Sequence, residues 1–93
     1  MRRLPSLNAL KAFEASMQVF TKEAQPIQWA FAENNIGDVH WSLATRGGGK
    51  AEFEEAIARF ESAKKTFTEI GYAPVISILD QKIALIKEAM TKL

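Results

Sequence analysis

The sequence predicts an all-α fold in which about four helices form antiparallel hairpins, stacked as a short α-solenoid. Apolar residues recur at every third or fourth position along four stretches, which is the spacing of one helix face. Proline and glycine separate these stretches, because neither is favoured inside a helix. A shift of 47 positions also aligns residue 9 with residue 56, so the chain contains an internal repeat. We expect one domain over residues 1–93.

The first helix is predicted over residues 6–24. Pro5 and Ser6 precede its apolar stripe and are typical of a helix start, where a side-chain oxygen accepts a free backbone N–H. Pro26 lies just beyond its end, because proline cannot donate the helical hydrogen bond. The stripe consists of Leu7, Leu10, Phe13, Met17, Phe20 and Ala24.

The second helix is predicted over residues 26–45, since proline is tolerated in a first turn. Its apolar residues lie on two sides, as expected for a helix packed between two neighbours. One side carries Trp29, Ala32, Ile36, Val39 and Leu43. The other side carries Ile27, Ala30, Phe31 and Trp41.

Three consecutive glycines predict a loop over residues 46–50, because they would lose too much backbone entropy in a helix. The third helix is predicted over residues 51–71, with Gly71 as its C-terminal cap. Glu55 and Arg59 have the spacing of an ion pair on its exposed side. Its stripe consists of Phe53, Ala56, Ile57, Phe60, Ala63, Phe67 and Ile70.

The fourth helix is predicted over residues 74–92, beginning at Pro74. Short connections between all four helices would force consecutive helices to lie antiparallel. The stripe of the fourth helix consists of Val75 or Ile76, Leu79, Ile83, Ile86, Met90 and Leu93.

The internal repeat makes the first and third helices copies of each other. Residues Ala9–Glu14 align with Ala56–Glu61, and the same shift places Gly37 on Ala84. The prolines at the start of the second and fourth helices match within one residue. A chance likeness of amphipathic helices is the weaker explanation, because the small and aromatic residues keep register together. The repeating unit is therefore a pair of helices, as in solenoid proteins.

These residues resemble the tetratricopeptide repeat family. Its pattern has Leu-Gly in the first helix of each pair and Ala-x-x-x-Phe in the second. Ile36–Gly37 matches the first element, while Ala56–Phe60 and Ala9–Phe13 match the second. The stretches Pro26–Ala30 and Asn34–Gly37 are similar to a bacterial long-repeat variant with Pro-x-x-Trp-Ala and Asn-x-Leu-Gly. Glu and His occupy the slots where the family usually has Trp and Tyr.

The resemblance implies a concave groove lined by the second and fourth helices, with protein partners binding there. The family's basic groove for carboxylates is not reproduced, because Asn34 and Asp38 occupy its positions. Trp41 is a candidate interface anchor, and the alternative is that it packs against the first or the fourth helix, since aromatic residues on helical stripes are usually core. The residues expected to contact a partner are Phe31, Asn34, Asp38, Trp41, Ser42, Gln81, Leu85 and Glu88.

The sequence predicts no catalytic residue, cofactor or metal site. The chain has no cysteine and one histidine, which leaves few nucleophiles and metal ligands. The glycine run before Lys50 lacks the outer glycine, the following Ser or Thr and the preceding strand of a phosphate loop. His40 stands at a packing position of the repeat, so we expect a packed or half-buried ring rather than a ligand.

The charge balance and the hydropathy of the chain limit the kinds of partner that it is expected to bind. Twelve basic residues balance 11 acidic ones, so no nucleic-acid surface is expected. No apolar run is long enough for a membrane span or a signal peptide, and a cytoplasmic location is expected. The predicted function is a protein–protein interaction module that binds a peptide, a helix or another subunit. The alternative is a structural or self-associating helical-repeat fragment with no separate ligand, a homo-oligomer formed through unpaired terminal helices.

Overall fold

The computed structural model describes residues 9–15 and 20–93, and the all-α class is confirmed for them. Residues 9–15 are helical and are called α1. Three longer helices follow: α2 (Pro26–Leu43), α3 (Gly49–Glu69) and α4 (Ile76–Met90). No strand occurs in the described ranges.

The C-terminal end of the first predicted helix is wrong, because residues 20–25 form a turn instead. The Thr21 hydroxyl accepts a hydrogen bond from the Ala24 N–H at 3.0 Å. The Thr21 carbonyl accepts one from the Gln25 N–H at 2.9 Å. A threonine side chain that bonds nearby backbone in this way competes with helix continuation. Residues 6–8 and 16–19 of that predicted helix lie outside the described part of the chain.

A five-residue turn, Ala44–Gly48, joins α2 to α3. Gly47 has φ 109° and Gly49 has φ 75°, a backbone region that side-chain-bearing residues rarely adopt. The glycines therefore allow the chain to reverse direction in a turn that lies two residues earlier than the predicted loop 46–50. As a result α2 ends two residues before its predicted end, and α3 begins two residues before its predicted start.

The C-terminal end of α3 confirms the cap predicted at Gly71, which has φ 74°. The Tyr72 N–H donates to the Phe67 carbonyl at 2.8 Å, the long-range bond of a Schellman ending. A single 3₁₀ turn, Ala73–Val75, then leads into α4. Both ends of α4 lie two residues inside its predicted range, because this turn and a C-terminal turn replace the outer residues.

The core lies where α3 packs against both α2 and α4. Most of the predicted stripe residues of these three helices are buried, which confirms the choice of faces. Ile27, Ile70 and Leu93 are the exposed exceptions, with 37%, 39% and 70% exposure, because each lies at or beyond an end of its helix. The buried apolar residues are Ala30, Ala32, Ile36, Val39, Ala44, Phe53, Ala56, Phe60, Ala63, Phe67, Leu79, Ile83 and Ile86.

Helices α2 and α3 approach closely where Gly37 faces the ring of Phe60. A Cβ atom added to Gly37 would lie 2.7 Å from Phe60 Cε1, well inside van der Waals contact. Phe60 itself is fully buried, so its ring has little room to move. The glycine is therefore required by packing between the two helices.

The Gly37→Ala substitution should lower the free energy of unfolding by about 1–2 kcal/mol. Overpacking costs about 1–3 kcal/mol, and the better helix propensity of alanine offsets a part of that cost. Urea unfolding monitored by circular dichroism would measure the loss. The same substitution in a Phe60→Leu background should cost clearly less, because leucine leaves space for the added methyl group. Equal losses in both backgrounds would contradict the assignment to this contact.

Candidate functional site

One face of α2 and the turn after it form a groove of about 430 Å³, here called the α2 groove. Its lining residues are three and four positions apart, which places them on one helix face. Three of them were predicted from the sequence as partner contacts, and the fourth, Thr45, was not. The lining consists of Asp38, Trp41, Ser42 and Thr45.

A lysine of α4 connects this face of α2 to the neighbouring helix. Lys82 Nζ lies 3.1 Å from Asn34 Oδ1 and 2.9 Å and 3.2 Å from the two carboxylate oxygens of Asp38. These three contacts equal the number of donors on an ammonium group. The predicted residues Asn34 and Asp38 are thus held together by a residue that the sequence did not single out.

The ring of Phe60 contacts both Lys82 and Trp41. Lys82 Nζ lies 5.1 Å from the centroid of the Phe60 ring, within the range of a cation–π contact. The Trp41 and Phe60 ring centroids are 6.2 Å apart, with their planes at 82°. This edge-to-face arrangement is a favourable one for aromatic pairs. Trp41 is half-buried, so it contacts the core and also lines the α2 groove.

The exposed side of α4 forms a second groove, of about 560 Å³, here called the α4 groove. Three of its four lining residues were predicted as partner contacts, and Ala84 was not. Leu85 is 54% exposed, and Ile78, two turns earlier on α4, is 49% exposed. The groove therefore has an apolar floor that faces solvent. The lining consists of Gln81, Ala84, Leu85 and Glu88.

Phe31 belongs to an aromatic cluster and does not line either groove. Its ring centroid lies 5.1 Å from that of Phe67 and 6.1 Å from that of Tyr72. The Phe67 and Tyr72 centroids are 5.5 Å apart, which closes the cluster. Phe31 also lines a smaller pocket of about 280 Å³, beside Phe13.

The predicted ion pair on α3 is confirmed and is part of a larger group. Arg59 Nε donates to Glu55 Oε2 at 3.0 Å, and Arg59 Nη1 donates to Glu33 Oε1 at 2.7 Å. Burial lowers the pKa of Arg59, but the hydrogen bonds and charges of Glu33 and Glu55 outweigh it, so its pKa is raised overall. Glu33, which is only 4% exposed, is thereby paired inside the α2–α3 interface.

His40 is half-buried, and its Nδ1 atom lies 2.6 Å from Glu52 Oε1. This contact joins the end of α2 to the first turn of α3 across the glycine-containing turn. In the described part of the chain, no group of three or more His, Asp or Glu side chains is placed to hold a metal ion. None of the helices among the described residues combines the length and apolarity of a membrane span.

Lys82 is the main site residue that sequence reasoning missed. It is 44 residues from Asp38 in the chain, and the 47-residue shift places it on Asn35, which carries no charge. No sequence signal predicts a pair at this separation, since helix packing alone brings it together. Comparison of the chain with family models, with curated proteins and with solved structures finds no significant match.

Proposed function

We propose that the chain is a protein–protein interaction module of the tetratricopeptide type, which binds a peptide or helix of a partner and carries no catalytic chemistry of its own. The observation that supports this proposal is the presence of two open grooves on neighbouring helices, bridged by Lys82 and Asp38. Six of the eight predicted contact residues line these grooves: Asp38, Trp41, Ser42, Gln81, Leu85 and Glu88. The two grooves together are called the α2–α4 surface.

The packing of α2 against α3 supports the assignment to a helical repeat. The family pattern needs a small residue in one helix and a large aromatic residue in the next, and Gly37 and Phe60 meet in this way. Ala56 and Ala63, which flank Phe60 on α3, are both 0% exposed. Small residues at these positions let the two helices approach closely. A short solenoid of such pairs, continued by α1 and α4, is the arrangement that we propose.

The chemistry of the α2–α4 surface favours a protein partner. Leu85 and Ile78 expose apolar area, while Asp38 and Glu88 add charged groups at the rims. Protein interfaces combine apolar centres with polar rims, and tryptophan is often the residue that contributes most to binding. Trp41 provides such a side chain beside the bridge to α4.

Selection of ligands from a displayed library of random peptides would test the proposal. We expect the selected peptides to shift the backbone amide signals of residues 38–45 and 81–88 in nuclear magnetic resonance spectra. The Leu85→Glu substitution places a charge on the apolar floor and should weaken binding by at least about tenfold, the effect of a contact worth 1.4 kcal/mol. Because Leu85 is exposed, this variant should fold normally.

Lys65→Ala, on the exposed side of α3, is the matched control and should leave peptide affinity unchanged. Signals that shift elsewhere on the molecule, or equal affinities for Leu85→Glu and the wild type, would overturn the proposal. The spectra distinguish lost binding from lost structure, because a folded variant keeps its dispersed amide signals.

Self-association is the second candidate function, favoured by the exposure of Ile78 and Leu85 on one side of α4. A second copy would cover this apolar area. Light scattering over a tenfold concentration range would measure the molar mass. A dimer that becomes monomeric in the Leu85→Glu variant would make self-association the leading function, whereas a monomeric wild type at high concentration would exclude it.

A further inference from the structure

We propose that the α2 groove binds the guanidinium group of an arginine side chain. This inference rests on the proposed function, because it names the chemistry of the partner segment that occupies part of the α2–α4 surface. The inference follows from the hydrogen-bonding groups that line the α2 groove and from the contacts that occupy the ammonium group of Lys82.

Lys82 does not offer a free hydrogen-bond donor to the groove. Its three hydrogen-bond donors are taken by Asn34 and by both carboxylate oxygens of Asp38. Its side chain is 22% exposed, against 45% for that of Asp38. The lysine therefore anchors the carboxylate from inside while the carboxylate remains accessible from outside. An ionised carboxylate accepts about four hydrogen bonds, so acceptor capacity is left for a ligand.

The other residues of the α2 groove add hydrogen-bond acceptors and an aromatic ring. The Thr45 hydroxyl donates to the Ser42 carbonyl at 2.9 Å, which leaves its oxygen as an acceptor. Trp41 supplies an aromatic ring next to Asp38 on the same helix face. Among the residues that the structure describes, no lysine or arginine lines the α2 groove or the α4 groove, and Glu88 adds a carboxylate to the latter. The acceptors of the α2 groove therefore favour a ligand with many hydrogen-bond donors.

A guanidinium group meets these conditions better than an ammonium group. It is planar, carries five N–H donors, stacks on aromatic rings and is weakly hydrated. It can donate to Asp38 while one face lies against Trp41, a combination of ion pair and cation–π contact. A volume of about 430 Å³ is sufficient for a side chain of this size.

Titration with N-acetyl-arginine amide, followed by amide and indole signals in nuclear magnetic resonance, would test the inference. We expect saturable shifts of the Trp41 indole N–H and of the backbone amides of Asp38 and Ser42. The citrulline analogue has the same shape without the charge, and its dissociation constant should be at least about fivefold higher, the ratio expected from 1 kcal/mol. The lysine analogue should bind more weakly than arginine.

The Asp38→Asn variant should lose this binding. It should keep the fold, because its amide oxygen still accepts from Lys82. The control variant, Glu61→Gln, removes a carboxylate from the exposed side of α3 and should bind arginine as the wild type does. Equal binding of arginine and citrulline analogues, or an equal loss in both variants, would overturn the inference.

The two proposals fail in different ways. Selected peptides that occupy the α2–α4 surface but keep their affinity when arginine is replaced by citrulline would overturn the arginine site alone. If no peptide binds that surface while the arginine analogue still binds the α2 groove, the interaction module fails and the arginine site stands as a small-molecule site.

Discussion

Replacing Phe60 by alanine should lower the free energy of unfolding by about 3–5 kcal/mol, the usual range for a buried Phe→Ala change. Phe60 is fully buried and is contacted by groups from both neighbouring helices. Its ring faces Gly37 and Trp41 of α2 and supports Lys82 of α4. Alanine would leave a cavity at the point where α2, α3 and α4 meet, and the surrounding backbone could fill only part of it.

Urea unfolding would measure this loss as a shift in midpoint of at least about 2 M, given a slope of about 1–1.5 kcal/mol/M for a small domain. Phe13 is the repeat counterpart of Phe60 but is only half-buried, so Phe13→Ala is the matched control and should cost less than half as much. A Phe60→Leu variant should give an intermediate loss if the alanine variant does not fold. Similar losses for both alanine variants would contradict the central role of Phe60.

The parts of the fold that depend on local sequence could be predicted. The buried faces of α3 and α4 follow from apolar residues spaced by three and four, and Gly71 caps α3 as its sequence position indicates. The turn between α2 and α3 was placed within two residues by its glycines. These features depend on neighbours within one or two helical turns, so a single sequence contains enough information to predict them.

The features that were missed depend on contacts between distant residues. Phe31 was predicted to lie on the outer side of α2, and the sequence did not show that Tyr72, from beyond α3, packs against its ring. Lys82 reaches Asp38 only because α2 and α4 both pack against α3. The turn at Thr21 is a local exception, in which a side-chain hydrogen bond between residues three apart competes with an otherwise helical pattern. The spacing of apolar residues shows which face of a helix is apolar. It does not show which other element will pack against that face.

Among the predicted contact residues, the six that line the grooves share one property. They lie on the exposed sides of helices whose opposite sides are buried, and helical spacing alone determines this. The sequence could therefore place them on a common side of each helix. It could not show that Lys82 and Asp38 join the two helices, since that bridge depends on how the helices pack.

The Arg59→Met substitution should lower the free energy of unfolding by about 3 kcal/mol, because it leaves a carboxylate in the α2–α3 interface without its cation. The Glu33 side chain is only 6% exposed and receives a hydrogen bond of 2.7 Å from Arg59. The Arg59 side chain is 30% exposed, so water can reach part of the vacated space. For this reason we expect the loss to lie near the lower end of the range for broken buried pairs.

A double variant separates the cost of an unpaired charge from the value of the pair. Glu33→Met with Arg59→Met removes both charges and fills the interface with apolar groups, so its stability should return to within about 1 kcal/mol of the wild type. Glu55→Gln is the control, because its side chain is 43% exposed and its contact with Arg59 contributes little in water. Thermal and urea unfolding of the three variants would measure these differences. A double variant as unstable as Arg59→Met alone would show that the pair itself stabilises the interface, rather than only avoiding an unpaired carboxylate.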